Sequence, residues 1–306
     1  MTKLPPPVAI SAPRPPQGRW RATFERVFES RVATAASLVL TLIVLAALLA
    51  PWVAPQNPYD LASLDILDSK LPPGSMSGDG GMRHWLGTDE QGRDMLSAIL
   101  YGLRISLYVG VFATLGALVI GTLMGLTAAF ARGWVDALIM RVVDIQLALP
   151  GVLIALVLLA ILGKGVDKVI IALIVGGWAY FARAARAAAM VERDKEYMEA
   201  AVCLGFSRTR RLLRHMLPNC IPSLIVIATI EFAEAIAAEA ALSFLGVGVP
   251  VSEPSLGMLT ANGFDYLMSG RYWLCLFPGL ALAITILAFN IVGDRFRQIV
   301  NPRGER

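Results

Sequence analysis

Residues 105–130 form a run of 26 without a charged side chain, and residues 272–293 a second run of 22. A helix needs about 20 consecutive apolar residues to cross the hydrocarbon core of a bilayer, so runs of this kind are hard to place in a water-soluble fold. Residues 32–53, 145–163, 169–189 and 221–247 are four further apolar stretches of spanning length. The chain is 56% hydrophobic and only 16% charged, where a soluble domain carries about 25% charge. These features predict an all-α polytopic membrane protein with six transmembrane helices.

Charge sets the expected orientation, because cytoplasmic segments near spans are enriched in Lys and Arg. Residues 1–31 contain Pro5, Pro6, Pro7, Pro13, Pro15 and Pro16, which favour an extended tail, and six basic residues against two acidic ones. The first span, 32–53, reads as a retained anchor because no clear A-x-A cleavage site follows it. Residues 54–98 carry seven acids against Lys70, Arg83 and Arg93, which fits an extracytoplasmic loop, with Pro72-Pro73-Gly74 and residues 78–81 marking turns. Residues 99–293 then form a five-helix core. Its cytoplasmic loop, about 190–218, lies in a stretch (183–214) with eight basic residues against four acids, and 294–306 is a basic cytoplasmic tail. Inside the core, Gly121-x-x-x-Gly125 permits close helix approach. Arg132, Asp136 and Arg141 fall in a short turn, Asp144 lies close to Arg141, and Pro150 kinks the third span. Arg183 and Arg186 share a face from which both can snorkel.

Several chemistries are disfavoured. Cys203, Cys220 and Cys275 are odd in number and lack C-x-x-C spacing, so they build neither a disulfide framework nor a zinc site. His84 with Asp89, Glu90 and Asp94 lacks a recognisable zinc spacing, and a hydrogen-bonded turn is the favoured reading; no metal site is expected. There is no G-x-x-x-x-G-K-[ST] loop, no G-x-S-x-G and no H-E-x-x-H, which argues against an ATPase or a membrane hydrolase. The net charge of +4 is unevenly spread and follows topology rather than a nucleic-acid surface.

The fifth span carries Glu231, Glu234 and Glu239. A charge at the bilayer centre costs roughly 2.5–3.5 kcal/mol on insertion scales, so three carboxylates do not face lipid. At about 100° per residue they fall within an arc of about 140°, a single stripe able to face a cavity. Two readings stand. The stripe lines a translocation pathway attractive to cationic groups such as a peptide's amino terminus, or the glutamates pair structurally, which suits Glu239 best.

Residues 196–218 lie between two apolar runs and combine a short amphipathic helix, an interrupting Gly205, a potential N-cap at Ser207 and a second, arginine-rich helix whose smooth continuation Pro218 discourages. Such a segment can be a knuckle seated in a partner's groove or a basic loop lying on anionic headgroups. The spacing Glu199-Ala200-Ala201, Gly205, Leu217-Pro218 resembles the EAA loop of importer permeases of the ATP-binding cassette (ABC) class, with His215 standing at a position usually apolar. His84-Trp85-Leu86-Gly87-Thr88-Asp89-Glu90-Gln91-Gly92-Arg93-Asp94 closely resembles the H-x-x-G-T-D-x-x-G-R-D stretch of the C-type subunit in peptide and nickel importers. Residues 241–257 are similar to that family's L-S-F-L-G-x-G-V segment and its following turn. Asn290-x-x-Gly293-Asp294 and Asn301-Pro302-Arg303 resemble its closing N-x-x-G-D and D-P-R, with Asn301 replacing the acid.

This resemblance implies a type I ABC importer permease fold and a non-catalytic subunit of an importer for di- or oligopeptides, or alternatively nickel chelates or another small solute. It implies a homologous second permease, forming a heterodimer, two ATP-binding cassette ATPase subunits that carry ATP and Mg, an extracytoplasmic substrate-binding protein and the lipid of the inner membrane, with no cofactor in this chain. Glu199, Ala200, Ala201, Gly205, Leu217 and Pro218 would then couple to the ATPases. A proton-coupled secondary carrier would also explain the buried glutamates, but it needs no basic two-helix segment.

Overall fold

A computed structural model describes residues 30–60, 64–78 and 80–300. The prolines and basic residues before Ser30, Asp79, the closing Asn301-Pro302-Arg303 and Arg306 lie outside the described residues. The helices are α1 (Arg31–Val53), α2 (Met95–Ala131), α3 (Gly133–Leu147), α4 (Gly151–Leu162), α5 (Val166–Arg193), α6 (Glu196–Cys203), α7 (Arg208–Phe244), α8 (Leu256–Phe264) and α9 (Trp273–Val300). Among the described residues, α1, α2, α5, α7 and α9 are each long and apolar enough to span a membrane. The pair α3 and α4, bent by 87° at its break, is together long and apolar enough to count as a sixth candidate span.

The bend falls at Pro150, where a kink in the third span is expected, but the helix before it starts at Gly133 rather than near residue 145. Pro150 cannot donate to the α3 ladder, and its carbonyl instead accepts from Leu153 and Ile154 to start α4. Arg132, Asp136 and Arg141 are correspondingly not in a short turn. Arg132, with φ +57, makes the corner, and the other two lie on α3. Nor do Arg183 and Arg186 simply snorkel. Arg186 makes a two-pronged contact with Asp136 at 2.6 and 2.7 Å, and Arg183 Nη2 donates to Asp144, which ties α3 to α5.

The core of the bundle is the α2–α5 pair. A Cβ on Gly121 would lie 2.3 Å from the Trp178 carbonyl, and one on Gly125 would lie 2.2 Å from that of Ala182. Only glycine allows these backbones to touch, as the small-xxx-small spacing predicts.

The polar loop before α2 is more ordered than its turn residues suggest. Strands β1 (Ser75–Met76) and β2 (Arg83–His84) pair antiparallel. The H-x-x-G-T-D-x-x-G-R-D stretch then becomes a buried polar knot. Asp89 Oδ1 accepts from the amides of Gln91 and Arg93, while its Oδ2 accepts from Arg93 Nε at 2.6 Å. Asp94 caps α2 through Ser97 and also meets His84 Nδ1 at 3.1 Å. Thr88 accepts from the Leu71 amide and donates to the Asp68 carbonyl. Gly92 has φ +77, and a Cβ there would lie 2.2 Å from the Asp65 carbonyl. Arg93 is 1% exposed and reaches Val251 O at 3.5 Å, so the knot also touches the turn before α8. Charged residues are buried only when paired in this way.

Two more boundaries differ from the sequence reading. Residues 241–257 are not all turn, because α7 runs to Phe244 and α8 starts at Leu256 behind a Ser255 cap. The last span continues past Gly293 to Val300.

Candidate functional site

Helix α6 projects between α5 and α7, joined to the first by Asp194 and Lys195 and to the second by residues 204–207. Its short apolar face explains the placement. Met198 is buried in a cluster with Leu126 and Ala129 of α2, Ala185 and Ala189 of α5, and Met216, Cys220 and Leu224 of α7, and Ala201 is buried as well. Two bonds fix it further. Tyr197 Oη donates to Glu192 Oε2 at 2.6 Å and Asn219 Nδ2 donates to Tyr197 Oη at 3.3 Å, while Arg193 Nη1 of α5 donates to the Ala129 carbonyl of α2 at 2.9 Å. Burial, followed by the neighbouring Glu192 carboxylate, pushes the Tyr197 phenol up to about 12.

The opposite face is open. Glu199, Ala200 and Gly205 are exposed, and Leu204 is 70% exposed. Gly205 has φ +72, and a Cβ there would meet nothing within 4 Å. Of the residues singled out by spacing, Ala201 is buried, Leu217 packs at the edge of the cluster and Pro218 is exposed. Beside α6 lies a groove of about 1040 Å³ that includes Glu199, Val202, Arg193, Arg208 and Arg211.

Ser207 does cap the second helix, accepting from the Arg210 amide at 3.4 Å. Continuation past Pro218 is helical but not regular. The chain stays helical from Arg208 to Phe244 because residues Arg211–Met216 widen into a π turn, in which the Leu217 amide donates to Leu212 O. The extra residue per turn relieves the backbone register that a proline ring would otherwise disrupt. His215 fills its unusual position by stacking on Phe206, with ring centroids 5.4 Å apart, while Arg210 lies over the other ring's face at 4.0 Å.

The second feature is a cavity of about 420 Å³ between α2, α4, α5 and α7. Glu231 and Glu234 both line it. Glu239 does not, which divides the stripe expected from helical periodicity. It is completely buried, accepting from Ser106 of α2 at 2.9 Å and from Ser243 at 2.8 Å. Eight residues along α7 is more than two turns, so a shared face can meet different neighbours. Sequence reasoning missed Thr114, Gly176 and Gly177 of the same cavity and the Tyr197–Glu192 contact. Only the adjacent glycines carry a sequence signal, a place where backbone can be approached closely.

The comparisons with known proteins agree with this architecture. Residues 117–306 match the family described as binding-protein-dependent transport system inner membrane component. Residues 18–73 match the N-terminal TM domain of oligopeptide transport permease C. The chain is 40% identical over 266 residues to the di/tripeptide transport system permease protein DppC of Pseudomonas aeruginosa, covering 87% of this chain and 86% of that one. It is 32% identical over 298 residues to the dipeptide permease DppC of Bacillus subtilis, covering 97% and 90%. It is 35% identical over 298 residues to the glutathione permease GsiD of Escherichia coli, covering 96% and 95%. Among solved structures, the inward-facing MetNI methionine ABC transporter superposes with a TM-score of 0.55 at 19% identity, covering 67% of this chain and 97% of that one, which shows a shared type I importer permease fold. The chain belongs to the family of binding-protein-dependent transport system inner membrane components, the permease subunits of ABC importers.

Proposed function

We propose that this chain is half of the membrane pathway of an ATP-driven importer of di- or oligopeptides. Relatives named for di- and tripeptides, dipeptides and glutathione support short peptides as the cargo. Both termini and α6 lie in the cytoplasm on this reading, which the excess of Lys and Arg around 183–214 supports. The partners are a homologous second permease, two ATPase subunits that bind ATP and Mg, and an extracytoplasmic binding protein.

The observation that carries the reading is the position of α6. Its exposed face presents Glu199, Ala200 and Leu204 for docking, and its two ends continue into α5 and α7, which wall the cavity of Glu231 and Glu234. A partner that closes around ATP and pulls on α6 tilts both helices together and switches the side to which the cavity opens, a rigid-body transition of the ordinary kind. In this scheme Gly205 gives clearance, while Ala201 and Leu217 hold the docking helix to its lever.

Affinity purification of the chain from its native membrane in mild detergent tests the assignment. Recovery of a second permease and P-loop ATPases is expected. A chain that emerges alone, or as a homodimer without an ATPase, contradicts it.

A further inference from the structure

The cavity holds two carboxylates, and its lining contains no Lys, Arg or His. Neither Glu231 nor Glu234 takes part in any ion pair among the described residues, although Asp136, Asp144 and Glu192 on neighbouring helices are all paired with cations. An unpaired carboxylate in a membrane segment is costly, so this wall wants a positive charge that the chain itself does not supply. Thr114 lines the same cavity from α2 at 7% exposure.

We propose that Glu231 and Glu234 form a subsite for the protonated amine of the cargo. An ammonium group carries three donors and no acceptor, and these side chains offer it two carboxylates within one cavity. Gly177 keeps the approach open, since a Cβ there would lie 3.6 Å from Glu231 Oε2. Any larger side chain would stand in front of that carboxylate. The remaining wall is mainly apolar and includes Tyr180. A volume of about 420 Å³ is in the range of small-molecule sites. The subsite therefore selects a free amino terminus and leaves the rest of a short peptide unspecified. It rests on the reading of this cavity as part of the cargo's path.

The test uses the assembled transporter with Cys203, Cys220 and Cys275 replaced by serine and Ala235→Cys placed in the cavity wall. Its alkylation is timed with the cationic aminoethyl methanethiosulfonate and with the neutral hydroxyethyl reagent. The cationic reagent is expected to react about tenfold faster or more, the scale on which a charged cleft concentrates its counter-ion. Glu231→Gln with Glu234→Gln should bring the ratio close to parity. Dialanine should slow alkylation of the unmutated wall, while N-acetyl-dialanine should not, a comparison that needs no glutamate variant to fold. Equal rates for the two reagents, or equal protection by the two peptides, overturn the ammonium subsite and leave the pathway standing. A thiol that reacts with neither reagent overturns both.

Discussion

Tyr197 Oη donates a 2.6 Å hydrogen bond to Glu192 Oε2 and thereby ties the first turn of α6 to the last turn of α5. It adds to the burial of Met198 in holding α6 against the bundle, and on the proposed docking scheme it stiffens the junction so that displacement of α6 is delivered to α5. Tyr197→Phe keeps the ring in its cluster and removes this bond together with the weaker 3.3 Å one accepted from Asn219. A hydrogen bond to a charged group contributes about 1.5–3 kcal/mol when well buried, and this half-buried one should contribute about 1 kcal/mol. The variant should assemble with its ATPases and hydrolyse ATP, yet import less cargo per ATP. Unchanged stoichiometry would show that the junction is not part of the lever.

The same phenol gives a pH signature. Its folded-state value of about 12 stands above the ordinary 10.0, so the folded state favours the protonated form. The contribution is complete below pH 10 and is lost as pH rises toward about 12. The difference in unfolding midpoint between the native chain and Tyr197→Phe should therefore be flat up to about pH 10 and shrink above it. A difference that grows with alkalinity would contradict the assignment of the bond.

Gly205 combines a left-handed backbone with open space, and two substitutions test how far both are needed. Asparagine tolerates φ above zero far better than tryptophan does and is much smaller. If clearance for a partner is what matters, Gly205→Trp should abolish transport while membrane insertion persists, and Gly205→Asn should retain a substantial part of it. Equal loss in both would shift the requirement from clearance to the absence of any side chain, and normal uptake by Gly205→Trp would sink the docking model.

Much of this fold was legible because its signals are local. The uncharged runs located the spans, and the Gly121 and Gly125 pair announced a close helix approach without naming α5 as the partner. Ser207 gave the start of α7. What could not be read depends on neighbours distant in sequence. Pro218 marks an irregularity in the helix, but nothing in the composition of residues 211–216 announces the π turn that accommodates it. Glu239 shares an arc with Glu231 and Glu234, but Ser106, 133 residues away, takes it out of the cavity. Asp144 lies near Arg141 in sequence yet bonds Arg183 once α3 folds against α5. Helix α8 was hidden among the prolines and glycines that precede it.

Gly92→Ala tests the knot on the opposite side of the bundle. The substitution combines a strained φ of +77 with a methyl carbon 2.2 Å from the Asp65 carbonyl. Overpacking of this sort costs about 1–3 kcal/mol, and the conformation adds about 1 kcal/mol or more. The protein should unfold several degrees earlier in detergent, with α6 unaffected and the ATPase subunits still bound. A midpoint equal to that of the native chain would mean that the loop does not brace α2.

The central claim is that the exposed face of α6 is where the ATPases dock, and the chain carries its own probe. Cys203 is exposed at the end of α6, whereas Cys220 is buried. Its alkylation by a small maleimide should be timed in the assembled transporter and again after the ATPase subunits have been stripped away. Strong protection of Cys203 in the complex, released on stripping, is the expected result. The same rate in both states would place the ATPases elsewhere and contradict the account.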